Sequence, residues 1–126
     1  MGKTQSYPLF TWEKGIAGTG FSIFTLARVV KRTPLPFAVY LLRYPVGAFI
    51  PPHRDPLSKR RLFHLNIILT KPPGGEFVSE SVIFRLGRIV FFRPDLSTHS
   101  VAPVLEGTRY VLLIGWALRD RVKAPV

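Results

Sequence analysis

Turn-forming residues interrupt this chain so often that no long helix fits between them. Twelve prolines and ten glycines are spread over 126 residues. The runs that separate them are short and rich in Val, Ile, Phe, Leu and Tyr. Such runs, bounded by Pro, Gly, Asp and Ser, are typical of β-strands joined at close spacing by turns. The pattern predicts an all-β protein.

The apolar runs predict nine strands, whereas the first 20 residues are ambiguous. We expect strands at 21–30, 36–44, 48–53, 61–70, 75–79, 81–85, 87–93, 98–104 and 107–118, with a tight turn at the LGR segment. Many short strands in a chain of this length favour a sandwich or jelly roll, because two packed sheets hide strand edges. We therefore expect one domain spanning 1–126, with a barrel core at about 36–118.

The composition excludes several classes of protein. A hydrophobic content of 47% argues against disorder. No apolar run approaches the roughly 20 residues that span a bilayer, and the segment MGKTQSYPLFTWEKG lacks the layout of a signal peptide. We therefore expect a cytoplasmic protein with no membrane partner. The absence of cysteine leaves histidine, carboxylate and hydroxyl chemistry for a functional site.

The charge balance is strongly basic, with 18 Lys and Arg against 7 Asp and Glu and a net charge of +11. Such a field favours anionic partners, including nucleic acid and acidic peptides, because it steers them to the surface. Most of the basic residues occur singly, apart from Lys31-Arg32 and the SKRR segment at 58–61. A basic surface that contacts only solvent is therefore an equally good interpretation. The sequence does not determine the oligomeric state.

Alternation along two strands places polar side chains among apolar ones. His64 and Asn66 share one face of the strand at 61–70, since successive side chains of a strand point to opposite faces. Arg109 shares the face of the last strand that carries Val111, and the opposite face is also apolar. We expect both faces to be covered, which would bury Arg109. A buried guanidinium is costly without an anion, so the alternatives are that Arg109 reaches the rim or pairs with Glu106.

The segment IPPHRDP at 50–56 holds the strongest candidate for chemistry. His53 and Asp55, two residues apart on an extended strand, point the same way and can chelate one metal, and His99 on a later strand can complete the set. Two imidazoles and one carboxylate form the facial triad of non-heme Fe(II) oxygenases, which leaves open positions for a cosubstrate and O2. Arg109, ten residues after His99, offers the planar fork that binds a carboxylate in a bidentate manner.

These residues resemble the 2-oxoglutarate (2OG) and Fe(II)-dependent dioxygenases, and the prolyl hydroxylases in particular. The resemblance runs from about Tyr40 to Leu118. Its motifs are YPVGAFIPPHRD at 44–55, GGEF at 74–77, LGRIVFFRPD at 86–95 and THSVAPVLEGTRYVLLIGW at 98–116.

The resemblance implies a double-stranded β-helix, the cupin-like form of the jelly roll. It implies that His53, Asp55 and His99 bind Fe(II) and that Arg109 binds the distal carboxylate of 2OG. Tyr44 matches a family position that lines the pocket. The implied cofactors are Fe(II), 2OG and O2, with ascorbate as a stimulant.

A second resemblance concerns the segment HRDPLSKRRLFHLNIILT at 53–70, which is similar in spacing to the aspartyl/asparaginyl β-hydroxylases. His64 matches a second histidine that helps to bind 2OG in that family. The chain departs from the pattern because Leu62 stands where the family has an arginine and because those hydroxylases typically lack Asp55. The prolyl hydroxylases place a pocket tyrosine near Ile68, and His64 can replace its hydroxyl. The alternative is a core histidine that bonds to a backbone group.

The resemblance implies hydroxylation of a C–H bond with release of succinate and CO2, and three functions follow. We expect a protein or peptide substrate that is anionic or associated with nucleic acid. The second interpretation is a nucleobase demethylase, although such enzymes usually carry another arginine where Gly115 stands here. The third is a non-catalytic, cupin-like binding module.

Overall fold

The computed structural model describes residues 8–29, 36–55 and 60–119, which form ten β-strands and no helix within those ranges. All pairs between these strands are antiparallel. The strands are β1 Trp12–Lys14, β2 Ser22–Val29, β3 Phe37–Tyr44, β4 Ile50–His53, β5 Arg60–Ile68, β6 Phe77–Ser79, β7 Phe84–Leu86, β8 Ile89–Phe92, β9 His99–Val101 and β10 Arg109–Arg119.

The prediction of an all-β fold is confirmed, and each predicted strand overlaps an observed one. The observed strands are mostly shorter at their ends, because proline and glycine stop the pairing sooner than the apolar run stops. The turn at LGR is also present, with Gly87 at a positive φ of 57° between β7 and β8. The sequence interpretation missed β1, which lies in the ambiguous first 20 residues.

Two sheets make up the fold, in the arrangement of a jelly roll. The larger sheet has the strand order β1-β2-β3-β10-β5-β8-β7, and the smaller has the order β4-β9-β6. Strand β10 is the centre of the larger sheet and is paired with β3 over Arg109–Trp116 and with β5 over Val111–Arg119. The smaller sheet carries His53 at one end of β4 and His99 at the start of β9.

The core lies between the two sheets. Ile23, Leu42 and Val111 from the larger sheet pack with Val101 and Val104 from the chain around β9. All five are at least nine-tenths buried. The apolar residues that alternate along β2, β3 and β10 therefore bury one face of the larger sheet against the smaller one.

The prolines of the IPPH segment fit its position in the smaller sheet. Pro51 and Pro52 lie in β4, an edge strand of that sheet, and the pairing of β4 with β9 is irregular between Ile50 and His53. Proline has no N–H to donate, so it is tolerated in an edge strand or beside a bulge. The pairing resumes at His53, which is the first of the three predicted metal ligands.

Within the described residues, no helix is long and apolar enough to cross a membrane.

The buried face of β2 provides a test of the core. Ile23 is fully buried, whereas Ile83 is about half exposed. We expect Ile23→Ala to lower the free energy of unfolding by about 2–5 kcal/mol, because it removes buried methyl groups and leaves a cavity. Ile83→Ala, the matched control, should change it by less than about 0.5 kcal/mol. Urea unfolding of both variants measures the difference, and equal effects would contradict the assignment of the core.

Candidate metal centre

The fold brings three potential metal ligands to one point. His53 and His99 are direct cross-strand partners at the ends of β4 and β9, so their rings lie with centroids 4.3 Å apart. Asp55 follows β4 by two residues, and its backbone N–H donates to the carbonyl of Pro94 at 2.8 Å. One ligand atom from each of the three side chains lies within 4.8 Å of the others. The backbone pairing therefore assembles the set.

Each imidazole is oriented by the backbone carbonyl of the residue two positions before it. Nδ1 of His53 lies 2.8 Å from the carbonyl oxygen of Pro51, and Nδ1 of His99 lies 2.8 Å from that of Ser97. A carbonyl only accepts, so each Nδ1 must carry the proton. This leaves Nε2 of both rings facing the Asp55 carboxylate, at 3.4 Å for His53 and 3.5 Å for His99.

The donor set fits a divalent first-row metal. An ion about 2.1 Å from ligands set at right angles separates neighbouring ligand atoms by about 3.0 Å, which is close to the two Nε2 to carboxylate distances. Nδ1–H bonds to backbone carbonyls fix the tautomer that metal ligation needs. Two nitrogens and one oxygen on one side of an ion match the Fe(II) facial triad. His53, Asp55 and His99 are thus the residues that would hold the predicted iron.

The electrostatics of the three residues are tightly linked. Burial alone would raise the pKa of the Asp55 carboxyl. In the metal-free protein, hydrogen bonds from His53 and His99 outweigh burial when Nε2 of these rings also carries a proton, and they hold this pKa well below its usual range. The hydrogen bond to Asp55 raises the pKa of His53, against the effect of its partial burial. A negative carboxylate that lies between two imidazoles attracts a cation to this point.

A polar network holds the strands that carry the ligands. Arg54 donates from Nε to the Thr98 hydroxyl at 3.1 Å, and the Thr98 N–H donates to the Glu80 carboxylate at 3.0 Å. The Ser97 hydroxyl bonds to the Ser79 hydroxyl at 2.6 Å. The side chains of Ser97 and Thr98 thus tie β9 to its neighbours. The Ser97 carbonyl contacts the ring of His99.

Aromatic rings close one side of the centre. Phe92 meets the His99 ring edge to face with centroids 5.1 Å apart, and Phe77 lies 6.2 Å from the same ring. The two phenylalanines also contact each other at 4.9 Å. His53 is the exposed member, with 24% of its side chain accessible against 8% for His99. Access to the centre is therefore from the His53 side.

Arg109 points inward as predicted and is only 4% exposed. It forms no ion pair with an acidic residue within the part of the chain that the structure describes, and the alternative partner Glu106 is exposed on the turn before β10. Burial lowers the pKa of Arg109, while Tyr44 and Glu76 oppose this effect. The buried guanidinium thus has the environment of an anion-binding group.

Tyr44 is the cross-strand partner of Arg109 and is 2% exposed. The guanidinium carbon lies 5.1 Å from the centre of its ring. Burial raises the pKa of Tyr44 to about 12, against the opposing effect of Arg109. Tyr44 therefore contacts Arg109 directly, and its place at the 2OG pocket stays a prediction.

The GGEF segment packs against the same arginine. Gly75 has a positive φ of 69°, and a Cβ at this position would lie 2.7 Å from Cδ of Arg109 and 3.1 Å from Val104. Only glycine combines this backbone conformation with this closeness. The role of Gly75 could not be read from the sequence, because it depends on a contact between distant segments.

His64 faces the interior from β5, as the alternation predicted. Its ring meets Phe92 edge to face at 5.7 Å, and a Cβ on Gly115, its partner on β10, would lie 3.3 Å from its Nε2. Burial lowers the pKa of His64 to about 4. No backbone group within the described ranges bonds to the ring, so the interpretation as a satisfied core histidine gains no support there.

Two further polar side chains face the interior and were given no role from the sequence. Asn66 and Thr25 are buried, and the Asn66 amide oxygen and the Thr25 hydroxyl have no hydrogen-bond partner among the described residues. Of the predicted basic segment SKRR, Ser58 and Lys59 lie outside the described residues, and Arg60 and Arg61 begin β5.

Residues 39–117, more than half of the chain, match the 2OG-Fe(II) oxygenase superfamily. The chain belongs to this superfamily. It is accordingly a dioxygenase that uses Fe(II), 2OG and O2, and the His53, Asp55 and His99 triad fits iron binding. The predictions of Fe(II), 2OG and O2 as cofactors and of the class of enzyme are confirmed, and the stimulation by ascorbate stays a prediction. The roles of the individual side chains stay predictions.

Solved structures share the fold of this oxygenase. A Pseudomonas putida prolyl-4-hydroxylase is 26% identical with a TM-score of 0.52 over 72% of this chain and 55% of its own. A viral collagen prolyl hydroxylase from Paramecium Bursaria Chlorella virus-1, solved as its 2OG complex, is 20% identical with a TM-score of 0.54 over 68% and 61%. A cupin 2 conserved barrel protein from Salinispora arenicola is 17% identical with a TM-score of 0.55 over 90% and 89%.

These similarities confirm the jelly roll, in its cupin-like form. The oxygenase spans little more than half the length of the two prolyl hydroxylases, so their activities are not transferred by likeness alone. No curated protein sequence is significantly similar to this chain.

Removal of one ligand tests the metal centre. We expect His99→Ala to weaken Fe(II) and Mn(II) binding by more than about 100-fold, beyond the 10- to 100-fold typical of residues that only orient a ligand. His64→Ala, which removes an interior imidazole outside the triad, should leave Mn(II) affinity nearly unchanged. Anaerobic titration followed by calorimetry measures both. Equal metal affinity in the folded His99→Ala variant and the wild type would refute the assignment.

The depressed pKa of His64 predicts a dependence of stability on pH. Between about 4 and 6.5 the folded protein keeps His64 neutral while the unfolded chain takes up a proton, so unfolding becomes more favourable as the pH falls through this window. The metal-free wild type should therefore lose stability relative to His64→Gln below pH 6.5. Above that pH the difference should be constant. Urea unfolding across the range checks this, and parallel curves would contradict it.

Proposed function

We propose that this oxygenase hydroxylates a C–H bond of a protein or peptide side chain and converts 2OG to succinate and CO2. The observation that carries the proposal is the convergence of Nε2 from His53 and His99 on the Asp55 carboxylate, at a site open on one side. The reaction balances because one atom of O2 enters the new hydroxyl group and the other enters succinate. Bound Fe(II) supplies the activation of O2, which no side chain of the chain can provide.

The first role of the chain would be to hold Fe(II) through His53, Asp55 and His99. Backbone carbonyls fix both imidazoles through Nδ1, and the backbone of Asp55 is fixed by Pro94. The ligands are thus set by the paired strands rather than by flexible side chains. A cosubstrate or substrate would approach Fe(II) held by these residues from the accessible side of His53.

The second task is to bind the cosubstrate, and we assign Arg109 to its distal carboxylate. The guanidinium is buried beside Tyr44 and has no acidic ion-pair partner among the described residues. A carboxylate that binds there would form a charge-assisted, bidentate contact that is shielded from solvent. The phenol of Tyr44, whose pKa of about 12 keeps it protonated, can donate to the same carboxylate.

We assign His64 a supporting contact to 2OG. Its imidazole is neutral at pH 7 because burial lowers its pKa to about 4, so it offers one donor and one acceptor rather than a charge. The ring lies on Gly115 and against Phe92, and Phe92 also contacts the ligand His99. His64 is therefore held next to the wall of the metal centre.

The substrate assignment rests on access and charge. The exposed side of the centre can admit a side chain of a peptide, and two structural neighbours are prolyl hydroxylases, one of them acting on collagen by its name. The net charge of +11 favours an acidic target or one associated with nucleic acid. These points support a protein substrate without identifying its sequence.

A nucleobase substrate has less support. The second arginine that such demethylases usually carry would stand at Gly115, and the imidazole of His64 already lies within 3.3 Å of the position of a Cβ there. The basic charge alone favours this alternative. A non-catalytic binding module is disfavoured by membership of the oxygenase superfamily.

The activity test has two stages. The purified chain with Fe(II), ascorbate and 2OG should release succinate, and His99→Ala should not. Mass spectrometry of peptide and oligonucleotide libraries should then show a gain of one oxygen on peptides. Oxygen gain on oligonucleotides alone would reject the protein substrate but keep the oxygenase, whereas no succinate under any condition would reject the proposed reaction.

Replacement of the proposed anion-binding group gives a quantitative prediction. We expect Arg109→Lys to weaken 2OG binding at least about tenfold, because lysine keeps the charge but not the bidentate geometry. Mn(II) affinity should stay nearly unchanged. Arg88→Lys, at an exposed arginine whose side chain donates to the Leu69 carbonyl, is the matched control. Calorimetric titration with 2OG in the presence of Mn(II) measures each, and equal affinities would make Arg109 a structural residue.

A further inference from the structure

The larger sheet presents a second apolar surface on the side away from the core. Side chains that point outward line up in three rows across the strands, because paired residues lie side by side in the sheet. The first row is Trp12, Phe24, Leu41, Leu112, Ile67, Ile89 and Leu86; the second is Ala27, Val39, Ile114, Leu65, Phe91 and Phe84; the third is Val29, Phe37, Trp116 and Phe63. We call these residues the outer face.

Contacts within the outer face show a continuous surface. Phe91 packs on Phe63, Phe84 and Trp116, with centroid distances of 5.9, 5.6 and 6.3 Å. At the other edge of the sheet, Trp12 packs on Phe24 at 5.1 Å. Aromatic rings thus extend from the first strand to the last.

Within the described part of the chain, the side chains that cover the outer face lie at its margin, where Phe10 packs on Phe24, Arg43 on Trp12 and Arg93 on Phe63. None of its residues is buried, and Phe84 and Leu86 are 46% and 71% exposed. Residues of the opposite face on the same strands, such as Val111 and Val90, are almost completely buried. The expectation that both faces of β10 are covered is therefore not met by the described residues.

The size of the outer face is close to that of a protein interface. Three rows about 7 Å apart, which run across seven, six and four strands spaced by about 4.8 Å, give about 500–600 Å² in projection. This equals the largest apolar patches of typical monomers, about 300–600 Å². A polar row follows at one end, with Lys14, Ser22, Arg43 and Tyr110. With that rim the surface approaches the about 800 Å² that each partner buries in a standard interface.

The charges lie at the margin of the outer face rather than at its centre. Arg43 stacks over Trp12 at 3.9 Å, and Arg93, next to Phe63, is paired with Asp95. The three rows themselves contain no charged or polar side chain. A partner must therefore present an apolar surface of similar width, and the outer face of another copy is such a surface.

We propose that the outer face is the interface of a homodimer, in which the larger sheets of two copies pack face to face. Two twisted sheets pack about 10 Å apart with strands about 30° from parallel, and a two-fold axis lets the same patch serve both copies. The metal centre is on the other side of each larger sheet. Its access from the His53 side stays free in the dimer.

The two tryptophans of the chain report directly on this contact. Trp12 and Trp116 both belong to the outer face. In a dilution series of the wild type, dissociation should move tryptophan emission to longer wavelength and increase quenching by acrylamide. Sedimentation velocity over the same series should show a dimer that becomes a monomer. Because each copy carries +11, higher salt should strengthen the dimer by screening repulsion.

Two variants and a control test the assignment. Ile114→Lys, at the centre of the outer face, should increase the dimer dissociation constant at least about tenfold. The double change Phe84→Lys and Leu86→Lys should also weaken the dimer. It should lower the stability of the monomer little, because both side chains are exposed, so it tests the interface even if Ile114→Lys does not fold. Val78→Lys, at an exposed strand position of the smaller sheet, should leave the dimer unchanged. Mn(II) titration shows that each variant is folded.

Three results would overturn the proposal. The first is a wild-type chain that stays monomeric at all concentrations and at low and high salt. The second is a dimer that the double variant does not weaken. The third is a complex with an acidic protein that shields the tryptophans and dissociates in high salt, since a different occupant would then cover the outer face. None of these results bears on the iron site, which is tested separately.

Discussion

The position of β10 at the centre of the larger sheet is the constraint on which the rest of the structure depends. It pairs with β3 on one side and β5 on the other over eight and nine residues, so its alternation fixes which side chains of three strands face the core. The same alternation puts Arg109 and Gly115 inside and Leu112, Ile114 and Trp116 outside. A shift of one residue would reverse both sets, and would remove Arg109 from the interior and the outer face from the surface together.

Much of this arrangement could be predicted because it depends on local patterns. The strands follow from apolar runs between prolines and glycines, and the inward direction of His64 and Arg109 follows from alternation. The triad was also accessible, since a His-X-Asp pair on a strand points two ligands the same way. The three-residue strand β1 was not, because WEK is too short to show a pattern, and its pairing with β2 depends on contacts across the turn.

The features of the site that could not be predicted depend on contacts between segments that are far apart in the chain. The exact opposition of His53 and His99 comes from the irregular pairing of β4 with β9, which two prolines permit but do not specify. The acidic group that influences Arg109 is Glu76 rather than Glu106, because the GGEF loop and not the preceding turn packs on the guanidinium. The sequence also showed both apolar faces of β10, but apolar content alone does not say what covers a face.

The division of tasks between the two sheets has a consequence for the energetics of the site. The smaller sheet supplies His53 and His99, and the larger sheet supplies Arg109, Tyr44 and His64. In the proposed function, metal ligation depends on the pairing of β4 with β9, whereas 2OG binding by Arg109 would depend on both sheets keeping their separation. A ligand that contacts iron and Arg109 at once bridges the two sheets and stabilises the folded state through its binding free energy. A contact on the outer face would make the larger sheet more rigid without touching the three metal ligands of the other sheet. Dimerisation would therefore change the affinity for 2OG more than the affinity for the metal.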